Sequence, residues 1–263
     1  MKRLHFDYRM QLIYTEKASE SHYTLKCIPI TTDRQSILRL SVSVLPENSF
    51  CEGVDSFGNR MIYGSIYGEQ EQFSFRVEGE AVTGTSAWEC SDIEASCGRY
   101  RHPYGLTTPG EKLLFYHGDI SLPHSSAYEQ AVFLMHRLHQ DFIYEKAVTD
   151  THTTAEEAWC LGRGVCQDYA HILITLCRLS QIPARYVSGM LIGEGYSHAW
   201  VEVFSNGKWY PLDPTNDTLV TDSHIKIGTG RDAGDCMINR GILRGGGMQT
   251  QKISVRVTEI NIE

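Results

Sequence analysis

The chain lacks both a long apolar run and a surplus of basic residues. One of its longest apolar stretches, 170–177, is far shorter than the roughly 20 residues that a transmembrane helix needs, so we expect no membrane span. Its 24 Lys and Arg are outnumbered by 32 Asp and Glu, and basic residues never cluster beyond two. Because nucleic acid attracts proteins with clustered positive charge, we expect no nucleic-acid partner.

The N-terminus has no signal-peptide pattern, since MKRLHF passes directly into alternating apolar and polar residues. This favours a cytoplasmic location, where the eight cysteines are expected to be free thiols. Cys90, Cys97 and His102 have the spacing C-x6-C-x4-H, which does not match a familiar zinc site. We therefore predict that the protein uses no metal and no cofactor.

The first part of the chain has the pattern of β-strands. Apolar residues alternate strictly with polar ones over 4–14, and the same pattern returns in three later segments separated by turn-forming residues. The later segments are 23–27, 38–44 and 73–77. The pattern predicts an N-terminal antiparallel β-sandwich over residues 1–110, and the Gly- and Pro-rich stretch 105–125 indicates an irregular connection after it.

The second part of the chain changes to helical periodicity and then back to strands. Apolar residues at helical spacing predict helices over 127–144 and 166–180. The strands that we predict after them are 186–191, 198–204, 208–213 and 252–262. Helices followed by a sheet indicate an α+β domain over residues 111–263.

Cys166 lies where the second predicted helix begins. Gly162 and Gly164 precede it, and the helical pattern starts at the cysteine itself. The unpaired N–H groups and positive dipole end of a helix N-terminus stabilise a thiolate, and they can also hold an oxyanion. We interpret Cys166 as a nucleophile, whereas Cys177, three turns further along the same helix, is expected to be an inert buried thiol.

The strand that begins at His198 and the strand that ends at Asp213 are predicted to form a hairpin. Between them, Asn206-Gly207 is a strong signal for a two-residue turn. Continuing that register places Asp213 opposite Trp200 and diagonal to His198 on one sheet face, about 7–8 Å apart at the backbone. Pro214 ends the strand, so we expect the Asp213 carboxylate at the rim of a cleft. A single β-bulge would move it to the other face.

Four other residues are further candidates for chemical roles. Asp168 and His171 are a rival acid and base, but they share a helix with Cys166 at offsets that do not face it, so we interpret both as structural. A second oxyanion donor beside the Cys166 N–H is expected, with Trp159 and Gln130 as candidates that spacing does not separate.

Four ordered motifs resemble the transglutaminase-like superfamily, specifically its bacterial branch. They are Gly164–His171 (GVCQDYAH), Ile182–Gly189 (IPARYVSG), Ser197–Val203 (SHAWVEV) and Leu212–Asn216 (LDPTN). The resemblance implies a papain-like Cys-His-Asp core that follows a β-rich N-terminal region, and Leu38–Asn59 resembles part of that region. The likeness extends over most of the chain.

The resemblance implies that Cys166 is the nucleophile, His198 the general base and Asp213 the third member of a catalytic triad, in agreement with the interpretation of the residues themselves. The segment 230–232 also resembles a recurrent element of the bacterial branch, although Ile238 stands where a proline is expected. We give that segment no catalytic role. Eukaryotic members use calcium, but this sequence has no twelve-residue calcium loop, so we predict calcium independence.

Together these features predict a cysteine-dependent acyl-transfer enzyme that acts on peptide or amide carbonyls through a thioester. Its partner is expected to be a peptide or protein substrate. Hydrolysis is favoured over cross-linking of glutamine to an amine, because an exposed cleft admits water. Two other hypotheses are a zinc hydrolase with Cys166, His198 and Asp213 as ligands, and a non-catalytic binding module. Oligomeric state is not readable from the sequence.

Overall fold

A computed structural model describes residues 1–84 and 94–260, in which two antiparallel sheets and four α-helices make up most of the structure. The helices are α1 (Glu111–Gly118), α2 (Ala127–Asp141), α3 (Ala155–Leu161) and α4 (Cys166–Leu179). The strands are β1 (Lys2–Leu25), β2 (Gln35–Leu45), β3 (Phe50–Val54), β4 (Arg60–Thr83), β5 (Ile143–Tyr144), β6 (Arg163–Gly164), β7 (Ala184–Leu191), β8 (Gly193–Gly195), β9 (His198–Ser205), β10 (Lys208–Asp213), β11 (Thr218–Leu219), β12 (His224–Gly230), β13 (Asn239–Gly245) and β14 (Gln249–Glu259). The predicted α+β class is confirmed.

The larger sheet is built around two strands of unusual length, β1 and β4, which pair with each other along their whole course. Their ladder is irregular between Ile13 and Ala18. The alternation indicated two separate strands, 4–14 and 23–27. Both belong mostly to the single strand β1, which passes through this irregularity. Side chains from both of its halves, such as Phe6 and Tyr23, belong to a single buried cluster. The same cluster includes Met190 of β7 and Ile225 and Ile227 of β12, so this apolar core is shared by the larger and the smaller sheet.

The same sheet also contains strands from the end of the chain. Its order is β2-β4-β1-β14-β8, with β3 on β4 and β13 on β1. The pairing of β14 with β1 runs from Leu4 opposite Glu259 to Tyr14 opposite Gln249. The division of the chain at residue 110 stays a prediction, and in space the N-terminal sheet includes residues from the second predicted domain.

The smaller sheet has the order β11-β10-β9-β7-β12, and helix α4 packs against β9 and β7. Every residue of α4 from Asp168 to Arg178 is buried. The sequence predicted an inward apolar stripe, whereas the helix is enclosed on all sides. Its buried polar residues fall on one stripe at three- and four-residue spacing, and they are Asp168, His171, Thr175 and Arg178.

Helix α1 lies inside the stretch 105–125 that was predicted to be irregular. The helix is only eight residues long, and the carboxylate of Glu156, on α3, accepts hydrogen bonds from the backbone N–H groups of Gly110, Lys112 and Leu113. A helix that is capped by a residue so distant in sequence has no local start signal. Helix α2, by contrast, begins with a Ser126–Glu129 capping box and ends three residues before its predicted end.

Seven cysteines in the described residues are free thiols, and they are Cys27, Cys51, Cys97, Cys160, Cys166, Cys177 and Cys236. Cys90, the first residue of the C-x6-C-x4-H pattern, lies outside the described residues, as do positions 261 and 262 of the last predicted strand. Over 1–84 and 94–260, no α-helix is both long enough and apolar enough to span a membrane.

Candidate active site

Cys166 is the first residue of α4, as the sequence predicted. Val165 is the N-cap residue in extended conformation, and Gly164 before it belongs to the short parallel pair of β6 with β5. The first N–H groups of a helix have no carbonyl partner within it, so the Cys166 sulfur lies beside unpaired donors. The side chain is partly exposed, which leaves the thiol accessible from outside.

The hairpin that carries His198 and Asp213 has the predicted register. Strands β9 and β10 pair from Ser205 opposite Lys208 to Val201 opposite Leu212, with no shift in the ladder. Both turn residues have positive φ, 50° at Asn206 and 77° at Gly207, as a two-residue turn of this type requires. His198 Nε2 donates to Asp213 Oδ2 at 2.7 Å, so the two side chains meet as the register implied.

The Asp213 carboxylate is more enclosed than the sequence indicated. Strand β10 ends at Asp213 as expected, but the side chain has no exposed surface and lies beneath the cleft rather than at its rim. The cause is the following turn, which folds back over the carboxylate. The backbone N–H groups of Thr215 and Asn216 donate to Oδ1, and the Asn216 side chain donates to Oδ2 at 2.7 Å.

These contacts shift the titration of both residues. Burial acts to lower the pKa of His198, but its hydrogen bonds to Asp213 and Cys166, with the negative charges of those groups, raise that pKa to about 10. Burial acts to raise the pKa of Asp213, yet the donors from His198, His224 and Asn216 hold it well below its usual range. At neutral pH the arrangement therefore favours an imidazolium against a carboxylate.

His198 connects the buried acid to the accessible thiol. Its Nε2 is occupied by Asp213, which leaves Nδ1 as the other ring nitrogen, and Cys166 is near enough to contribute to the raised pKa of His198. The exposed fraction of the side chain is 11% for His198 and zero for Asp213. A reactant from solvent can thus approach the thiol and one edge of the imidazole, but not the carboxylate.

Sequence reasoning missed a second histidine on the same carboxylate. His224 Nε2 lies 3.2 Å from Asp213 Oδ2, and its side chain is 6% exposed. His224 opens β12, a strand that was not among those predicted. The signal was present, because His224 and Lys226 alternate with Ile225 and Ile227 as in a strand with one polar face.

The Asp168 carboxylate is hydrogen-bonded to two groups other than the Cys166 thiol. Asp168 Oδ2 accepts a hydrogen bond from Thr149 Oγ1 and from the backbone N–H of Val165, both at 2.7 Å. Burial, the largest influence, raises its pKa in spite of these donors. Asp168 thus fastens the start of α4, in keeping with a structural role.

His171 is fully buried, and its Nε2 accepts the backbone N–H of Ala233 at 3.1 Å. Burial, together with the charge of Arg178, lowers the pKa of His171 to about 3, so the ring is neutral. It joins α4 to the segment after β12 instead of serving as a base for Cys166.

The two candidates for a second oxyanion donor have other contacts. The Gln130 side-chain amide donates to the carbonyl oxygens of Pro123 and Ser125, which occupies its N–H groups. Trp159 packs its ring against Tyr116 and Phe142, with centroids 4.1 and 6.3 Å away. Neither contact directs a donor to Cys166, and the second oxyanion donor stays a prediction.

The described residues contain one group of three potential metal ligands close together. The ligand atoms of His198, Asp213 and His224 lie within 4.8 Å of one another. Cys166 is not a member of that group, so the ligand set of the zinc-hydrolase hypothesis does not converge. The hydrogen bonds from both imidazoles to Asp213 Oδ2 already account for the closeness of the three side chains.

Comparison with known proteins identifies two regions. Residues 116–214 match the transglutaminase-like superfamily, and residues 4–82 match the bacterial transglutaminase-like N-terminal region. The first match contains α2 to α4 and the hairpin that carries His198 and Asp213. The second contains the long strands of the larger sheet.

Two relatives and one solved structure match this chain over different lengths. The chain is 26% identical over 276 residues to an uncharacterized protein of Mycobacterium leprae. The aligned region covers 94% of this chain and 95% of that protein. An uncharacterized protein of Mycobacterium tuberculosis is 36% identical over 126 residues, or 42% of this chain and 40% of the relative. A candidate cysteine protease of Cytophaga hutchinsonii has the same fold, with a TM-score of 0.78, 21% identity and coverage of 100% and 92% of the two chains. The chain thus contains a transglutaminase-like superfamily region over residues 116–214 and a bacterial transglutaminase-like N-terminal region over residues 4–82.

Proposed function

We propose that this protein is a cysteine-dependent acyl-transfer enzyme that acts on peptide or amide carbonyls of a peptide or protein substrate. One observation carries the proposal: the His198 imidazole is hydrogen-bonded to buried Asp213 through Nε2, and Cys166, at the start of a helix, is near enough to raise the pKa of His198. A thiol nucleophile, its proton acceptor and an orienting acid need this order of contacts.

The raised pKa of His198, about 10, changes the starting state of the predicted mechanism. In that state His198 begins as an imidazolium, and in the proposed mechanism its charge and the helix N-terminus stabilise the Cys166 thiolate as the attacking species. The thiolate attacks the carbonyl carbon, a C–S bond forms, and the backbone N–H of Cys166 holds the oxyanion. His198 then donates its proton to the leaving nitrogen, the C–N bond breaks, and a thioester to Cys166 remains.

The second half of the reaction decides between hydrolysis and transfer. His198, now neutral, takes a proton from the incoming water or amine as that nucleophile attacks the thioester, and the C–S bond breaks to restore the thiolate. We propose water as the usual acceptor, because Cys166 is partly exposed and His198 is open to solvent along one edge. The fold shared with a candidate cysteine protease supports the same choice.

The experiment is a peptide-library digestion in the presence of a labelled primary amine, read by mass spectrometry. Hydrolysis produces peptides cleaved or deamidated by water, whereas cross-linking produces peptides that carry the amine. Cys166→Ala is expected to abolish both products. The matched control is Cys160→Ala, because Cys160 is also an accessible free thiol but lies away from His198 on α3.

The remaining hypotheses give different results in the same assay. Loss of turnover on chelation, with Cys166 left unmodified by iodoacetamide, would support a zinc hydrolase. Absence of any product, with no acylation of Cys166 by activated esters, would support a binding module. Either outcome overturns the proposed thiol mechanism.

We also propose the cytoplasm as the site of action. The free thiols of Cys51 and Cys160, both exposed, support a reducing compartment. Cell fractionation followed by immunoblotting tests this location.

A further inference from the structure

The outer edge of the smaller sheet is covered by two amide side chains from the N-terminal region. Strand β12 is the edge strand, and Gln35 donates to the Lys226 carbonyl at 2.9 Å while accepting the Lys226 N–H at 2.8 Å. Asn59 makes the same pair of bonds with Thr229, at 2.8 and 2.7 Å. Each side-chain amide thus makes the two backbone hydrogen bonds that a residue of a neighbouring strand would make. Both side chains are buried.

Strand β12 is irregular between these two contacts. Its register with β7 shifts between Lys226 and Gly228, as in a β-bulge. A Cβ at Gly228 would lie 2.7 Å from Asn59 Oδ1, so the close approach of the amide requires glycine there. Asp55 accepts the Asn59 amide at 3.0 Å and fixes its orientation. The course of β12 is therefore determined by the N-terminal region as well as by β7.

The first residue of β12 is His224, which reaches across the sheet face to Asp213. Its ring stands edge-on to the ring of Trp200, with centroids 5.4 Å apart. Trp200 lies over Gly189, where a Cβ would come within 2.3 Å of the indole. The contact of 3.2 Å between His224 and Asp213 thus depends on where β12 is held and on the flat indole beneath it.

The other nitrogen of His224 has no role in this contact. His224 Nδ1 and Trp200 Nε1 are both buried without a hydrogen-bond partner in the described part of the chain. Because the Asp213 carboxylate accepts, His224 carries a proton on Nε2 and donates to Oδ2. The charged side chains around His224 are Asp213, His198, Arg34, Glu202 and Lys226.

We propose that His224 is a positioning residue for the Asp213–His198 pair, and that Gln35 and Asn59 hold the strand that carries it. The N-terminal region thereby supports the geometry of the site. This inference rests on the proposed function, because the orientation of Asp213 matters only where His198 and Cys166 act together.

The test measures the alkylation rate of Cys166 by iodoacetamide at about pH 6, where an unactivated thiol reacts slowly. Mass spectrometry of the Cys166 peptide gives the rate without a known substrate. His224→Leu is expected to slow alkylation by roughly 10- to 100-fold, by analogy with residues that orient metal ligands, whose removal has effects of that size. His224→Gln retains a donor near the same place and is expected to recover much of the rate.

His171→Leu is the matched control, because it also removes a buried histidine of this part of the chain but one bonded to Ala233. It is expected to lower the free energy of unfolding, measured in urea for every variant, and to leave the alkylation rate of Cys166 unchanged. Equal slowing by His171→Leu and His224→Leu would mean that destabilisation explains the loss, and would overturn the proposal.

A double-mutant cycle tests the link to the N-terminal region. If Gln35 acts through His224, then Gln35→Leu slows alkylation in the native chain and adds little to His224→Leu. Full additivity overturns the link, and a native rate in His224→Leu overturns the positioning role. If Cys166 of the native chain reacts no faster than Cys160, the proposed function fails first, which distinguishes that failure from a failure of this inference.

Discussion

The carboxylate of Asp168 lies 2.7 Å from the backbone nitrogen of Val165, the residue immediately before Cys166. The loop that leads to the proposed nucleophile is thus held by the third residue of the helix that the nucleophile begins. Asp168→Ala leaves that N–H and the Thr149 hydroxyl without their acceptor, and is expected to lower the free energy of unfolding by roughly 1–3 kcal/mol. Asp168→Asn keeps an acceptor oxygen and should lose less. Equal losses in urea titrations of the two variants would contradict this account.

Gly164 offers an independent test of the same contact. A Cβ there would lie 2.4 Å from Asp168 Oδ2 and 2.8 Å from Asp168 Cβ, so Gly164→Ala must displace the carboxylate. We expect lower stability in urea and slower alkylation of Cys166. Gly118→Ala is the control, because a Cβ at Gly118 meets no atom within 4 Å and the change should be neutral or slightly stabilising. Unchanged alkylation in Gly164→Ala would show that the contact does not support the thiol.

Asp213→Asn is expected to lower the pKa of His198 towards that of an ordinary histidine, because it removes the charge and the acceptor that raise it. In a serine-protease triad the same change reduces turnover by a factor on the order of 10⁴. NMR titration of the His198 ring measures the shift directly. Asp217→Asn is the matched control, because Asp217 lies in the turn after β10 but is hydrogen-bonded to a different histidine, His136. A ring that titrates near pH 10 in Asp213→Asn would refute the assignment.

The raised pKa of His198 makes stability fall on the alkaline side. Between the unfolded value of about 6.5 and the folded value of about 10, the folded state binds more protons than the unfolded chain. The stabilisation is therefore fully present below about 6.5 and is lost as pH rises through about 10. Urea titrations across this range should show a steeper decline in the native chain than in His198→Gln. Parallel declines would mean that His198 does not hold its proton in the folded state.

His171 has the opposite effect on the acid side. Its folded pKa is lowered to about 3, so between about 6.5 and 3 the unfolded chain takes up a proton that the folded state refuses. Stability is expected to fall as pH falls through this range. His171→Gln retains an acceptor for the Ala233 N–H and should make the decline shallower. Thermal unfolding at several acidic pH values measures the slope, and an unaltered slope would count against a neutral buried ring.

The parts of the site that follow from local sequence were predictable. The Asn206-Gly207 turn sets the register of β9 and β10, and this register alone brings Asp213 to His198. The start of α4 at Cys166 was likewise readable from the glycines and the periodicity around it. In each case the interacting groups lie within one hairpin or one helix, where spacing determines geometry.

The features of the site that depend on contacts between residues far apart in the sequence were not predictable. His224 reaches Asp213 because β12 pairs with β7, because Gln35 and Asn59 hold its edge, and because Gly189 makes room for an indole. No short segment contains these conditions together. The capping of α1 by Glu156 was missed for the same reason. The enclosure of Asp213, by contrast, comes from the turn directly after it.

The pairing of β14 with β1 has a consequence for the order in which the molecule assembles. Leu4 in β1 pairs with Glu259 in β14. The ribosome therefore releases β1 long before it has synthesised β14. Until then one edge of β1 is left without its partner, and contacts so far apart in sequence form slowly. The nascent chain therefore completes its larger sheet only after Glu259 has been made, and the sheet that contains Gln35 lacks one of its strands until then.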